Sequence, residues 1–148
     1  MAETIVLSKI LNVREKEKND AQKAYHQSMD FFEKVATQLY TLLRKKESAE
    51  ESYEEYISTT TSLDKIREQI AYIDKLNTQI MSLQQDVQNA RTAMESKQLQ
   101  LTDAHVEVKK FEKIIDIRKK AKADTESKME NLAMDEISIQ QYLTNKNR

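Results

Sequence analysis

Residues 66–115 read IREQIAYIDKLNTQIMSLQQDVQNARTAMESKQLQLTDAHVEVKKFEKII, with an apolar residue at every seventh position. A straight α-helix has about 3.6 residues per turn, so a strict repeat of seven keeps a narrow stripe in register only when helices wrap around each other left-handedly. The repeat therefore predicts a coiled coil and requires a partner helix. Its positions are Ile66, Ile73, Ile80, Val87, Met94, Leu101, Val108 and Ile115.

The composition favours long helices. The 148 residues include no glycine and no proline, the two residues that most readily interrupt a helix. Hydrophobic residues make up 39% and charged residues 33%, which is too polar for a thick globular core. No apolar run approaches the roughly 18 residues of a membrane span, and residues 1–16 lack the apolar segment of a signal peptide. We therefore expect a cytoplasmic, all-α protein.

Several kinds of functional site are unexpected for this composition. The chain has no cysteine, and its two histidines, His26 and His105, are far apart in sequence, so we predict no metal site. Glycine-dependent phosphate loops and nucleophile elbows are excluded, and a two-helix coil offers no pocket for acid–base catalysis. The formal net charge of −1 argues against nonspecific nucleic-acid binding. We predict a protein that is not an enzyme and needs no cofactor.

A second seam precedes this stripe in the chain and predicts the partner helix. Its residues follow alternating steps of four and three, with polar residues that help to fix the register. They are Leu7, Leu11, Arg14, Lys18, Ala21, Tyr25, Ser28, Phe32, Val35, Leu39, Leu42, Lys46, Ala49, Tyr53 and Tyr56. The hydroxyl run from Ser58 to Ser62 predicts a turn, and Thr61 with Asp64 resembles a weak capping box for the next helix.

These features predict a long antiparallel two-helix coiled coil, an α-hairpin. We expect one domain over 1–148, with a first helix over about 4–57, a turn over about 58–62 and a second helix over about 63–142. Folding back near residue 60 leaves about 25 residues of the second helix overhanging. A parallel homodimer is the alternative. It is disfavoured because the first seam, continued past Tyr56, falls one residue out of phase with the stripe that starts at Ile66.

Charged and apolar residues off the seams suggest two candidate docking surfaces. Residues 109–128 hold eight basic and four acidic side chains, which form either a solvated helical face or a docking surface for an acidic partner. Near the turn, the apolar band of the second helix is wider than the seam needs. This band either thickens the coil or leaves a patch for a third protein, and its residues are Tyr72, Leu76, Gln79 and Leu83.

Three segments resemble the FliJ family of the bacterial flagellar export apparatus. They are LSKILNVREKE at 7–17, VEVKKFEK at 106–113 and MDEISIQQ at 134–141, and the resemblance spans the whole chain. It implies an antiparallel two-helix stalk, similar to the central stalk of rotary ATPases, that docks in the pore of the hexameric export ATPase. By this resemblance the ATPase-binding residues are Leu7, Ile10, Arg14, Phe111, Arg118, Lys119, Lys122 and Ile139.

The resemblance also implies further partners. The export-gate-binding residues would be Tyr72, Leu76, Gln79 and Leu83, so the protein would act at the inner face of the cell membrane through its partners. Association with export chaperones is a further family property. The alternatives are a homologous stalk of a virulence type III secretion system, a prefoldin-like hairpin and a purely structural homodimeric coil.

Overall fold

The computed structural model describes residues 2–59 and 62–146. Two α-helices, α1 (Ala2–Ser58) and α2 (Leu63–Lys146), account for nearly all of them. The described part of the chain contains no β-strand. The predicted all-α fold is confirmed, and the β-hairpins that a prefoldin-like protein would add are not found in these residues.

Side-chain hydroxyl groups mark the two helix ends at the turn. The Ser58 hydroxyl donates to the carbonyl oxygens of Glu54 and Glu55, each at 3.1 Å. The Ser62 hydroxyl accepts a hydrogen bond from the backbone N–H of Lys65 at 3.4 Å, the geometry of a helix N-cap. Ser62 thus caps α2, with Asp64 in its first turn. The predicted cap residue Thr61 lies outside the described residues.

The predicted seam of α1 is the buried side of that helix. Every one of its positions from Leu7 to Tyr56 is buried or half-buried, including the polar ones. Arg14, Lys18 and Lys46 can occupy such positions because their long methylene chains cover apolar surface while the charge stays near water. The register predicted for α1 is therefore confirmed.

The chain divides into two compact units, in each of which a segment of α1 pairs with a segment of α2. Unit 2 covers Asn19–Asp103. Its buried residues are Val35, Ala49, Leu76, Ile80 and Ala90. The Gln69 side-chain amide donates to the Ala49 carbonyl oxygen at 3.0 Å, and the Arg91 guanidinium lies 5.7 Å from the centre of the Phe32 ring. The later residue of α1 thus meets the earlier residue of α2, as an antiparallel pair requires.

Unit 1 combines Met1–Lys18 with Ala104–Arg148. Here the buried residues are Val108, which is 1% exposed, and Ile115. Arg14 contacts Phe111, and Glu3 pairs with Arg118, so the order of contacts is again antiparallel. Ile115 is the last buried residue, and all described residues from 116 to 146 are exposed. The antiparallel α-hairpin with an overhanging C-terminal helix is confirmed.

Candidate protein-docking surfaces

The first candidate surface lies in unit 1, where α1 begins beside α2. Its apolar base is half-buried and consists of Leu7, Ile10 and Phe111. The Arg14 guanidinium stacks 5.8 Å from the centre of the Phe111 ring, and its Nη1 donates to Glu17 at 3.0 Å. The Arg14 Nε is buried and has no hydrogen-bond partner among the described residues. These contacts hold an arginine in a seam position with part of its charge still exposed.

A second arginine fixes the start of α1. The Arg118 guanidinium forms an ion pair with the Glu3 carboxylate. The hydrogen bond from Arg118, followed by its positive charge, lowers the pKa of Glu3 below its ordinary value. Both side chains are largely exposed, so this pair contributes little to stability.

Two lysines beside Arg118 keep their charges available. Lys119 and Lys122 are exposed and, with Thr4 and Ile5, line a shallow surface cavity of about 220 Å³. The neighbouring Lys120 pairs with Asp116 at 3.4 Å, whereas no ion pair to Lys119 or Lys122 is formed within the described residues. The residues predicted to bind the ATPase thus lie together in unit 1, with one exception.

That exception is Ile139, which lies far along the exposed part of α2. We call residues 116–146 the tail. Ile139 is 60% exposed, and no described residue of α1 reaches it. The structure therefore places it apart from Leu7, Arg14 and Phe111. A partner that contacts all of them must cover the tail as well as the paired helices.

The second candidate surface lies in unit 2. Tyr72 is 44% exposed, Gln79 is exposed and Leu83 is half-buried. Leu76 is only 3% exposed, because it occupies a seam position of α2 and packs against α1. Its side chain packs between the helices beneath this surface. The part of this surface that a partner can touch is formed by the other three predicted residues.

Sequence reasoning missed the residues of α1 that adjoin both surfaces. Thr41 and Lys45, on either side of the predicted seam residue Leu42, line a groove of about 690 Å³ together with Gln79 and Leu83. Val6 and Val13 are both 55% exposed next to Ile10. The second group carried a signal, since residues 6, 10 and 13 follow the spacing of one helix face. The first could be found only from the register between the helices.

Metal-ligand clusters and membrane-spanning helices are not found in the part of the chain that the structure describes. No group of three His, Cys, Asp or Glu residues in the described ranges could hold a metal ion. No helix among those residues is both long and apolar enough to cross a membrane.

Comparison with known proteins identifies the family. The model of the family described as "Flagellar FliJ protein" matches residues 4–147. The flagellar FliJ protein of Bacillus subtilis (strain 168) is 34% identical over 143 residues, covering 97% of this chain and 97% of that protein. No solved structure matches the chain. A family match over nearly the whole length, together with this relative, shows that the chain belongs to the FliJ family, a component of the flagellar export apparatus.

Proposed function

We propose that this chain is the non-catalytic central stalk of the flagellar type III export apparatus. In this role the paired start of α1 and the tail insert into the hexameric export ATPase ring, and the second surface contacts the export gate in the membrane. The observation that carries the proposal is in unit 1. The half-buried Arg14 and the exposed Arg118, Lys119 and Lys122 lie together near the start of α1, and every residue of α2 from 116 to 146 is exposed.

The chemistry of the first candidate surface, which would face the ATPase ring, fits a protein partner with acidic groups. Arg118, Lys119 and Lys122 supply positive charge, which steers association and fixes orientation. Leu7, Ile10 and Phe111 supply apolar area at the base, and Arg14 can exchange Glu17 for a partner carboxylate. Ile139 contributes an apolar contact further along the tail. Together these residues would set the stalk in one orientation within the ring.

The second candidate surface, which would face the export gate, offers aromatic and amide groups in place of positive charge. Tyr72 offers an aromatic ring with a hydroxyl group, and Gln79 offers an amide, so contacts there would combine apolar area with hydrogen bonds. Leu83 borders the groove of α1 and α2. Leu76 would act by holding α2 in place and not by touching the gate.

This function needs no cofactor and no catalytic residue in the chain. The protein would influence ATP turnover by biasing assembly of the ring, while chemistry stays in the ATPase. It would be cytoplasmic and reach the inner face of the membrane through its partners. Export chaperones would be additional partners, and none of the described surfaces is assigned to them.

The experiment measures ATPase activity and ring formation of the cognate export ATPase with and without this protein. We expect both to rise when the wild-type chain is added. The triple variant Arg118→Glu, Lys119→Glu, Lys122→Glu should lose this effect because it reverses the charge of the surface.

A matched triple variant serves as the control. Lys23→Glu, Lys34→Glu and Arg67→Glu change exposed residues of unit 2 and alter the net charge equally. This variant should activate the ATPase as the wild type does. Equal activation by both triple variants, or no activation by the wild type, would contradict the proposal.

A further inference from the structure

The tail repeats the pattern of the seam without a partner. Met129 and Leu143 lie two and four heptads after Ile115, and Leu132 and Ile139 lie three and four heptads after Phe111. These four residues are between 51% and 68% exposed. The buried stripe of α2 therefore continues into the tail in the same frame, at the point where α1 no longer covers it. A coiled-coil stripe of this kind is completed by another helix.

The charges around this stripe do not suit a membrane surface. An interfacial helix places Lys and Arg on both sides of its apolar face. Here the stripe positions include Lys122 and Glu136, and the positions next to Met129 and Glu136 are Lys128 and Asp135. Mixed charge beside an apolar stripe is typical of pairing between helices, where it selects the partner and its direction.

We infer that the partner is a second copy of this chain, which pairs with the first through its tail in the antiparallel direction. In this register Met129 of each copy faces Leu132 of the other. The charged residues then match: Lys128 faces Asp135 of the second copy, and Lys122 lies one layer from Glu136 of the second copy. The two-fold symmetry of the dimer forms each of these pairs twice.

Other arrangements of two tails place like charges together. A parallel pair would set Lys122 against Lys122 and Glu136 against Glu136. An antiparallel pair shifted by one heptad would face Asp135 with Asp135 in one direction, or Lys128 with Lys128 in the other. Like charges directly opposite each other disfavour a pairing and are a common source of specificity. Of these arrangements, only the antiparallel register in which Met129 faces Leu132 avoids the like-charge contacts.

The length of the tail fits the same register. Leu143 of the second copy reaches Arg118, which is bound to Glu3 at the start of α1. Pairing between the tails therefore ends near Arg118, where α2 begins to pair with α1 of its own chain. The contact contains the two Met129–Leu132 layers at its centre, a Thr125–Glu136 layer on either side of them, and the outer Lys122–Ile139 and Arg118–Leu143 layers, so it is short for a coiled coil and only partly apolar. The dimer should accordingly be reversible and dissociate on dilution.

The dimer would occupy residues assigned above to the ATPase ring. Arg118, Lys122 and Ile139 would contact the second copy, so a chain in the dimer could not dock in the ring. This consequence rests on the proposed function, whereas the pairing itself does not. Self-association would keep unassembled stalks from exposing the tail and would be displaced by the ring.

The first test measures the mass of the purified full-length chain by light scattering and sedimentation over a range of concentrations. We expect the mass to rise from 17.3 kDa towards twice that value with increasing concentration. Lys128→Asp should weaken dimerisation several-fold, because it places two aspartates opposite each other across the pair. The exchanged variant Lys128→Asp, Asp135→Lys should restore it. A monomer at every concentration, or no rescue by the exchange, would overturn the inference.

The second test uses the absence of cysteine in the sequence to map direction by disulfide formation. Met129→Cys and Leu132→Cys chains should cross-link to each other when mixed, and each should cross-link poorly to itself. Ser127→Cys, on the opposite side of the helix, is the control and should remain reduced. Preferential cross-linking of Met129→Cys to itself would indicate a parallel pair and would also overturn the inference.

The two proposals can fail separately. A chain that stays monomeric and still activates the ATPase would remove the dimer and leave the stalk function in place. A chain that forms the antiparallel dimer and never affects the ATPase would remove the stalk function only. If both are correct, adding the ATPase should reduce the yield of the disulfide between the Met129→Cys and Leu132→Cys chains.

Discussion

Replacing Leu76 by alanine separates the two roles that this residue could have. Leu76 lies in the predicted gate-facing set, yet it is 3% exposed and packed in the seam of unit 2. Truncation of a buried leucine costs about 2–5 kcal/mol, from the lost transfer free energy and the cavity that remains. A coil two helices thick can close part of that cavity, so we expect a value near the lower end, about 2–3 kcal/mol.

The measurement is urea unfolding followed by far-ultraviolet circular dichroism. With an m-value of about 1–3 kcal/mol/M, the loss corresponds to a fall of about 1 M or more in the urea midpoint. Leu99→Ala is the matched control, since the same atoms are removed from the same helix at a side chain that is 64% exposed. It should change stability by less than about 0.5 kcal/mol.

A second pair of measurements completes the test. Tyr72→Ala and Gln79→Ala should weaken binding to the cytoplasmic part of the export gate while leaving the urea midpoint near that of the wild type. The reasoning would be refuted if Leu76→Ala unfolded at the same urea concentration as Leu99→Ala. In that case Leu76 would not be a packing residue, and direct contact with the gate would be the better explanation for its place in the set.

Three further outcomes test other parts of the structure. Val87→Pro should cost about 3 kcal/mol or more by breaking α2 at a half-buried seam position, seen as lost helix content and impaired flagellar secretion, while Val87→Ala retains both. Ser62→Ala should lower stability by about 1 kcal/mol in thermal unfolding through loss of the α2 cap, whereas Ser96→Ala, inside the helix, should not. NMR titration should give Glu3 a pKa below the ordinary glutamate value, and Arg118→Gln should raise it. The small stabilisation from the Glu3–Arg118 contact is therefore fully present above the ordinary glutamate pKa, and it is lost as the pH falls through the lowered pKa.

The seams were the part of the fold that sequence could predict. A repeat of seven residues constrains which side of a helix is buried, and it did so even at Arg14, Lys18 and Lys46. The phase difference between the two stripes also indicated two separate helices. The buried positions could be predicted because burial in a two-helix coil depends on the position of a residue in the heptad repeat. That position can be counted along the sequence of one helix.

Individual contacts between the helices could not be predicted from the sequence. The hydrogen bond from Gln69 to the Ala49 carbonyl and the stacking of Arg14 on Phe111 depend on how far one helix is shifted along the other. A shift of one heptad would change these partners while keeping seam positions opposite seam positions. Sequence alone also did not single out Ser62 as a cap of α2, because every residue from Ser58 to Ser62 carries a hydroxyl group that can accept such a hydrogen bond.

A two-helix coil also limits how docking residues can be recognised. The two helices contact each other along one seam, so each side chain either packs in the seam or lies outside it. Only the side chains outside the seam are accessible to a partner protein. Leu76 shows that membership of a helix face does not make a residue available to a partner. The tail shows the converse, because Met129 and Leu132 have seam spacing and yet remain exposed where α1 is absent. Spacing therefore predicts what a residue is suited to contact, and the ends of the opposing helix determine whether that contact is made within the chain or with another molecule.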